Sequence, residues 1–227
     1  MLSRKSSPDS DPTERYGFPA LGAGTRFSLG FLRVNRILNR PLAALLVRAL
    51  APTKVTPNQV TWGAFVVGLA GAVAFFKGTL AGFAVGGILA EISSIIDCAD
   101  GMLARARGET SEFGASLDLI LDRFLEFLLM TAGVLGYYAF SGRVLFLTLG
   151  LVAVALYFLE VVVYYLTEDY AGNAGKSRSA ENRGLFLFLV FLSGVTGRID
   201  LGIFVMLAAA AAMNIYLLVR FLRLPRR

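Results

Sequence analysis

No histidine occurs among the 227 residues, and cysteine and tryptophan occur once each. Lacking histidine, the chain has neither an imidazole base nor the usual nitrogen ligand of a zinc site. The lone Cys98 cannot close an internal disulfide; as a small, weakly polar side chain it is given no function. Charge is also scarce. Only 17% of the residues are Asp, Glu, Lys or Arg, against 56% apolar residues and a mean hydropathy of +0.65. A soluble domain does not sustain that balance, whereas a set of membrane-spanning helices does. The net charge of +6 is accounted for by membrane orientation, and no stretch resembles a nucleic-acid-binding face. Residues 1–28, rich in Ser, Pro, Asp and Gly, lack an apolar run after their early basic residues, which excludes a cleavable signal peptide and predicts a disordered cytoplasmic tail.

What is present is mostly apolar helix. In residues 29–50, Arg33, Arg36, Arg40 and Arg48 interleave with leucines at helical spacing, predicting an amphipathic juxtamembrane helix in the membrane interface that Pro41 bends or divides. Residues 51–227 form the transmembrane domain. Thr56-Pro57 supplies an N-cap and a first-turn proline, and spans follow at about 58–76, 79–103, 113–140, 144–166, 185–195 and 201–222. The fifth covers only about 16 Å at 1.5 Å per residue, so its helix starts earlier, near Ser179, or lies in thinned bilayer. The fold class is therefore all-α integral membrane: a six-transmembrane-helix bundle preceded by an N-terminal amphipathic interfacial helix. With the N-terminus inside, Lys77, Arg143 and Arg198 are the basic residues left in outer loops, as the positive-inside rule requires.

Against this apolar background one stretch stands out, DCADGMLARARGETSEFGASLDLILD, residues 97–122. Asp97 and Asp100 lie three apart at the end of one apolar run, and Asp118 and Asp122 four apart at the start of the next; on helices each pair shares a face. If those helices are antiparallel neighbours joined by the polar link at 107–112, all four carboxylates converge. Anions so placed repel unless a cation lies between them, and all-oxygen ligation favours a hard ion, Mg²⁺ or Mn²⁺. At mid-bilayer each carboxylate costs roughly 2.5–3.5 kcal/mol, so the cluster belongs near the interface, which the chosen orientation makes the cytoplasmic one.

With its spacing written out, the stretch is D-x2-D-G-x2-A-R-x8-G-x3-D-x3-D, carried by Asp97, Asp100, Gly101, Ala104, Arg105, Gly114, Asp118 and Asp122. It resembles the signature of the CDP-alcohol phosphotransferases at every fixed position, a coincidence expected about once in 10¹⁰ starts. That resemblance implies attack by an acceptor hydroxyl on the β-phosphorus of a CDP-alcohol donor, with release of CMP. It further implies that Asp97, Asp100 and Asp118 ligate metal, two ions in all. Asp122 is implied as the general base, also reaching the second metal. Gly101, Ala104 and Gly114 keep the nucleotide wall small, Arg105 clamps a phosphate, and the assembly is a homodimer.

Other residues carry two readings each. Asn58 either caps the first spanning helix or, by the resemblance, lies near the nucleotide. Lys176, Arg178 and Arg183 either bind an acceptor phosphate or are ordinary inner-loop cations, and Arg123 shares that ambiguity. Glu91, Glu126 and Glu160 are ionisable groups inside spans and so functional candidates, Glu126 foremost because it continues the Asp118–Asp122 face. Arg220, Arg223, Arg226 and Arg227 suit anionic lipid. The reaction expected is transfer of a phosphatidyl group from CDP-diacylglycerol to an alcohol or polyol phosphate, in phospholipid synthesis at the cell membrane. An alternative within the class uses soluble CDP-inositol with inositol phosphate. A divalent-cation transporter, the alternative outside it, leaves Gly101, Ala104, Arg105 and Gly114 unexplained.

Overall fold

In the computed structural model the backbone is described over residues 38–170 and 179–223, and side chains over 38–167 and 186–223. The expected tail at 1–28, the start of the amphipathic helix, Lys176, Arg178, the Arg183 side chain, Arg226 and Arg227 lie outside the described residues. Among those described there is no strand, and seven helices follow one another: α1 (Arg40–Leu50), α2 (Pro57–Phe76), α3 (Leu80–Arg107), α4 (Glu112–Ser141), α5 (Val144–Tyr170), α6 (Ser179–Thr196) and α7 (Ile199–Leu222).

Local chemistry sets the boundaries around the aspartates. Thr56 and Gln59 form a capping box at the start of α2: the Gln59 amide donates to Thr56 Oγ1 at 3.3 Å and the Thr56 amide to Gln59 Oε1 at 2.9 Å. Helix α3 runs on past the last apolar residue to Arg107. It stops where Gly108 turns left-handed, at φ 69°, and the Glu109 amide reaches back to the Ala104 carbonyl at 2.9 Å. Three residues later Ser111 opens α4 by accepting from the Gly114 amide at 3.0 Å.

Among the described residues four helices, α2, α3, α5 and α7, are long and apolar enough to cross a membrane. α4 is longer still, with 30 residues, but carries Asp118, Asp122, Arg123 and Glu126 in its first half. α6 begins at Ser179, as the short fifth run requires, and its apolar part is Phe186–Thr196. α1 starts at Arg40, with Pro41 in its first turn, and packs Ala43 and Val47 against Val60, Ala99 and Leu103, with Arg40 and Arg48 exposed.

The two aspartate-bearing helices are not packed neighbours. α2 lies against both, while the backbones of α3 and α4 approach each other little, which corrects the expectation that the two pack side by side. The reason is the small-residue face of α2. A Cβ on Gly68 would run into Leu125 of α4 and stand 2.8 Å from Ser93 Oγ of α3, and one on Gly71 would stand 3.1 Å from the Gly86 carbonyl. α2 thus packs between the pair along much of their length, and they meet at the short turn joining them and again at the far end, where the Phe83 ring of α3 lies 6.3 Å from that of Tyr137 and 5.7 Å from that of Phe140 on α4.

Candidate active site

Beside that turn the last three turns of α3 and the first three of α4 carry the four aspartates. One carboxylate oxygen from each of Asp97, Asp100 and Asp118 lies within 4.8 Å of the others. Asp100 is buried, at 7% exposure, and its two companions are half-buried. Asp122 stands outside that trio but lines one small cleft with Asp97, Thr61 and Ser93. Three carboxylates from two helices, converging with oxygen donors only, fit a Mg²⁺ or Mn²⁺ ion.

The small residues of the motif sit where side chains already crowd. A Cβ on Gly101 would lie 3.3 Å from Arg105 Nη1, because Arg105, exposed and one turn on, folds its guanidinium back over the glycine. At Gly114 a Cβ would lie 3.1 Å from Asn58 Oδ1 and 3.0 Å from Ser111 Oγ. Asn58 therefore points across to the N-terminus of α4, and the capping of α2 belongs to Thr56 and Gln59 instead. Ala104 is half-buried between Gly101 and the α3 terminus.

Glu126, one turn beyond Asp122, is fully buried. Its Oε2 pairs with Arg123 Nη1 at 2.8 Å and accepts from the Tyr157 hydroxyl at 3.0 Å, joining α4 to α5. Arg123 is thus engaged on its own helix. Glu91 is also buried, six residues before Asp97. Glu160 lines a separate, largely apolar cavity of about 310 Å³ bounded chiefly by α4 to α7.

Two residues that sequence reasoning passed over hold the site in place. Thr61 Oγ1 donates to Asp100 Oδ2 at 2.5 Å. Arg107 gathers the α1–α2 linker: Nη1 donates to the Val55 carbonyl at 2.6 Å, and Nη2 to those of Leu50 at 2.7 Å, Thr53 at 2.9 Å and Ala51 at 3.3 Å. Thr61 falls one turn after Asn58 on the same face of α2, a spacing that places it near the site but does not name its partner; Arg107 has no signal beyond its charge.

Known proteins resemble this chain in sequence and in fold. Residues 54–219 match the CDP-alcohol phosphatidyltransferase family. A bifunctional IPC transferase and DIPP synthase of Archaeoglobus fulgidus is 35% identical over 145 residues, 63% of this chain and 26% of the relative. Archaetidylinositol phosphate synthase of Pyrococcus horikoshii is 26% identical over 163 residues, 69% of this chain and 78% of the relative. The chain spans only 22–30% of the length of three such bifunctional relatives. In structure it is similar to the phosphatidylinositol phosphate synthase PgsA1 of Mycobacterium tuberculosis with CDP-DAG bound, with a TM-score of 0.62 at 20% identity, covering 84% of this chain and 98% of that one. The same enzyme in complex with manganese and citrate gives a TM-score of 0.63, also at 20% identity, covering 82% and 93% of the two chains. With the family match covering most of its length, including the aspartate motif and the helices that position it, the chain belongs to the CDP-alcohol phosphatidyltransferase family.

Proposed function

We propose that the protein transfers a phosphatidyl group from CDP-diacylglycerol to a polyol phosphate, with inositol phosphate the first acceptor to try, and releases CMP at the cytoplasmic face of a six-span homodimeric membrane enzyme. The observation that carries this reading is the convergence of Asp97, Asp100 and Asp118 within 4.8 Å at the family's motif. Support for the lipid donor is the CDP-DAG bound to PgsA1; support for the acceptor is the inositol phosphate in the names of PgsA1 and of the Pyrococcus relative.

Asp97, Asp100 and Asp118 would hold Mg²⁺ or Mn²⁺, with Asp122 at the edge of the cluster serving the second of two ions. When bound, the metal neutralises the pyrophosphate and the charge developing on CMP. Asp122 takes the proton of the acceptor hydroxyl as the new O–P bond forms and the bond to CMP breaks. Arg105, lying over Gly101, binds a donor phosphate with a planar fork, and Asn58 beside Gly114 contacts the nucleotide. Gly101, Ala104 and Gly114 let the donor approach the backbone closely. Lys176, Arg178 and Arg183 hold the acceptor phosphate, while α1 with the residues before it lies in the inner interface.

Purified protein reconstituted in vesicles, given labelled CDP-diacylglycerol or CDP-inositol against inositol phosphate, glycerol phosphate, inositol and serine, tests the reading. CMP release with label transferred from CDP-diacylglycerol to inositol phosphate is expected. The bifunctional relatives are the reason to include the soluble donor, and preference for it would replace the lipid reading. Absence of CMP release from every pair, with Mg²⁺ and Mn²⁺ supplied, would overturn the transferase assignment for this chain.

A further inference from the structure

We propose that Thr61 is a positioning residue for the metal centre, its hydroxyl fixing the orientation of the Asp100 carboxylate; this rests on the reading of Asp97, Asp100 and Asp118 as metal ligands. Thr61 belongs to α2, which contributes no carboxylate to the cluster. It has one hydroxyl proton and two acceptors in reach, the Pro57 carbonyl at 3.2 Å and Asp100 Oδ2 at 2.5 Å. The shorter contact takes the proton. The Pro57 carbonyl lies one turn back, where the helix's own ladder supplies it with a donor, whereas a hydroxyl on a carboxylate makes a short charge-assisted bond.

Burial gives that bond its effect. Thr61 is 5% exposed and Asp100 7%, so water does not compete for either partner. Branching at Cβ limits threonine to two main χ1 rotamers in a helix, and the one adopted here lets Oγ1 reach both the Pro57 carbonyl and Asp100, so the backbone of α2 leaves the hydroxyl few directions. The wedge position of α2 turns this into a link between helices, because a residue on α2 orients a carboxylate on α3 that must converge with one on α4. Hydrogen-bond partners behind metal ligands are worth roughly 10–100-fold in metal affinity, since a ligand free to rotate spends its binding on being ordered.

The test is Mn²⁺ affinity of the purified protein, measured by electron paramagnetic resonance titration without substrate, for the native chain and for Thr61→Val, Thr61→Ser and Thr61→Ala, with melting temperatures recorded alongside. Valine keeps the shape and removes the donor. The expected result is roughly 10–100-fold weaker Mn²⁺ binding for Thr61→Val at a melting temperature close to the native one, with Thr61→Ser restoring most of the loss. Should the valine variant fail to fold, Thr61→Ala gives the donor-free value. Affinity for a folded donor-free variant within twofold of native would overturn the proposal, as would equal weakening by serine and valine, which would mean that any change of shape at this position disturbs the site whether or not the hydroxyl is kept. A native chain that itself binds no Mn²⁺ would remove the metal-ligand reading, and this proposal with it, a result distinct from the other two.

Discussion

Of the acidic residues, Asp97, Asp100 and Asp118 bring their oxygens together while Asp122 stands outside the trio on the same cleft, so substitution should separate two behaviours. Asp97→Asn, Asp100→Asn and Asp118→Asn are expected to weaken Mn²⁺ binding by more than the roughly 10–100-fold of an outer residue, and turnover with it. Asp122→Asn should keep Mn²⁺ binding at the Asp97–Asp100–Asp118 trio and donor-induced thermal stabilisation while turnover falls by roughly 10²–10⁴, the usual contribution of a positioned base. Loss of metal binding in Asp122→Asn would make it chiefly a ligand; undiminished turnover would remove it from the chemistry. Glu126 is no ready substitute, because Arg123 and Tyr157 already engage it. Arg105 is separable from a mere cation: Arg105→Lys keeps the charge but loses the planar fork, so the donor KM should rise about tenfold or more while the acceptor KM changes little. Equal shifts in both constants would count against a donor-phosphate role. At this scale the motif was legible because its chemistry is local, residue types at helical spacings. Thr61 was not, because its meaning depends on a partner 39 positions away on another helix.

Among elements, the runs of apolar residues marked the helices, since a bilayer demands long continuous ones, but did not reveal which helices touch. Asp100 and Asp118 invited the inference that α3 and α4 pack side by side; the glycine face of α2, which inserts between them, is a property of three helices at once. The end of α3 was also underestimated, because the ARAR segment is polar and a hydropathy reading stops at Leu103, whereas Gly108 ends the helix by its backbone conformation. That extra turn carries Arg107, which collects four carbonyls at and after the end of α1, among them that of Leu50, which the Thr53 amide at 2.9 Å and hydroxyl at 2.7 Å also engage. Arg107→Ala should therefore loosen the linker that leads into Thr56 and Asn58. The expected cost is on the order of 2 kcal/mol, with faster proteolysis or amide exchange confined to residues 50–56. Loss of stability spread evenly over the bundle would mean that Arg107 supports the fold at large rather than this linker.

Across the whole molecule, the polar groups placed deep among the helices decide how the two ends of the bundle are coupled. Arg123, Glu126 and Tyr157 tie α4 to α5 one turn beyond Asp122, and Tyr157 is at the same time a wall of the 310 Å³ cavity that extends away from the aspartates. A fully buried carboxylate is tolerable only while its partners stay, and removing one member strands the other's charge. Glu126→Leu alone should lower stability by roughly 3–5 kcal/mol, toward the lower end because Arg123 keeps 20% of its side chain exposed. The double variant Arg123→Leu with Glu126→Leu should recover much of that loss, since two apolar side chains need no compensation in an apolar surround; Tyr157 then loses one hydrogen bond, worth about 1 kcal/mol. Melting temperatures of the native, two single and double variants in one detergent complete the cycle. Strong non-additivity is the expected outcome, and simple addition of the two single losses would show that the pair is not coupled in stability. Turnover of the double variant then separates two roles for the same contacts. If stability returns and transfer does not, the network sets the geometry of the Asp122 face; if both return, its work is to join α4 to α5 inside the membrane.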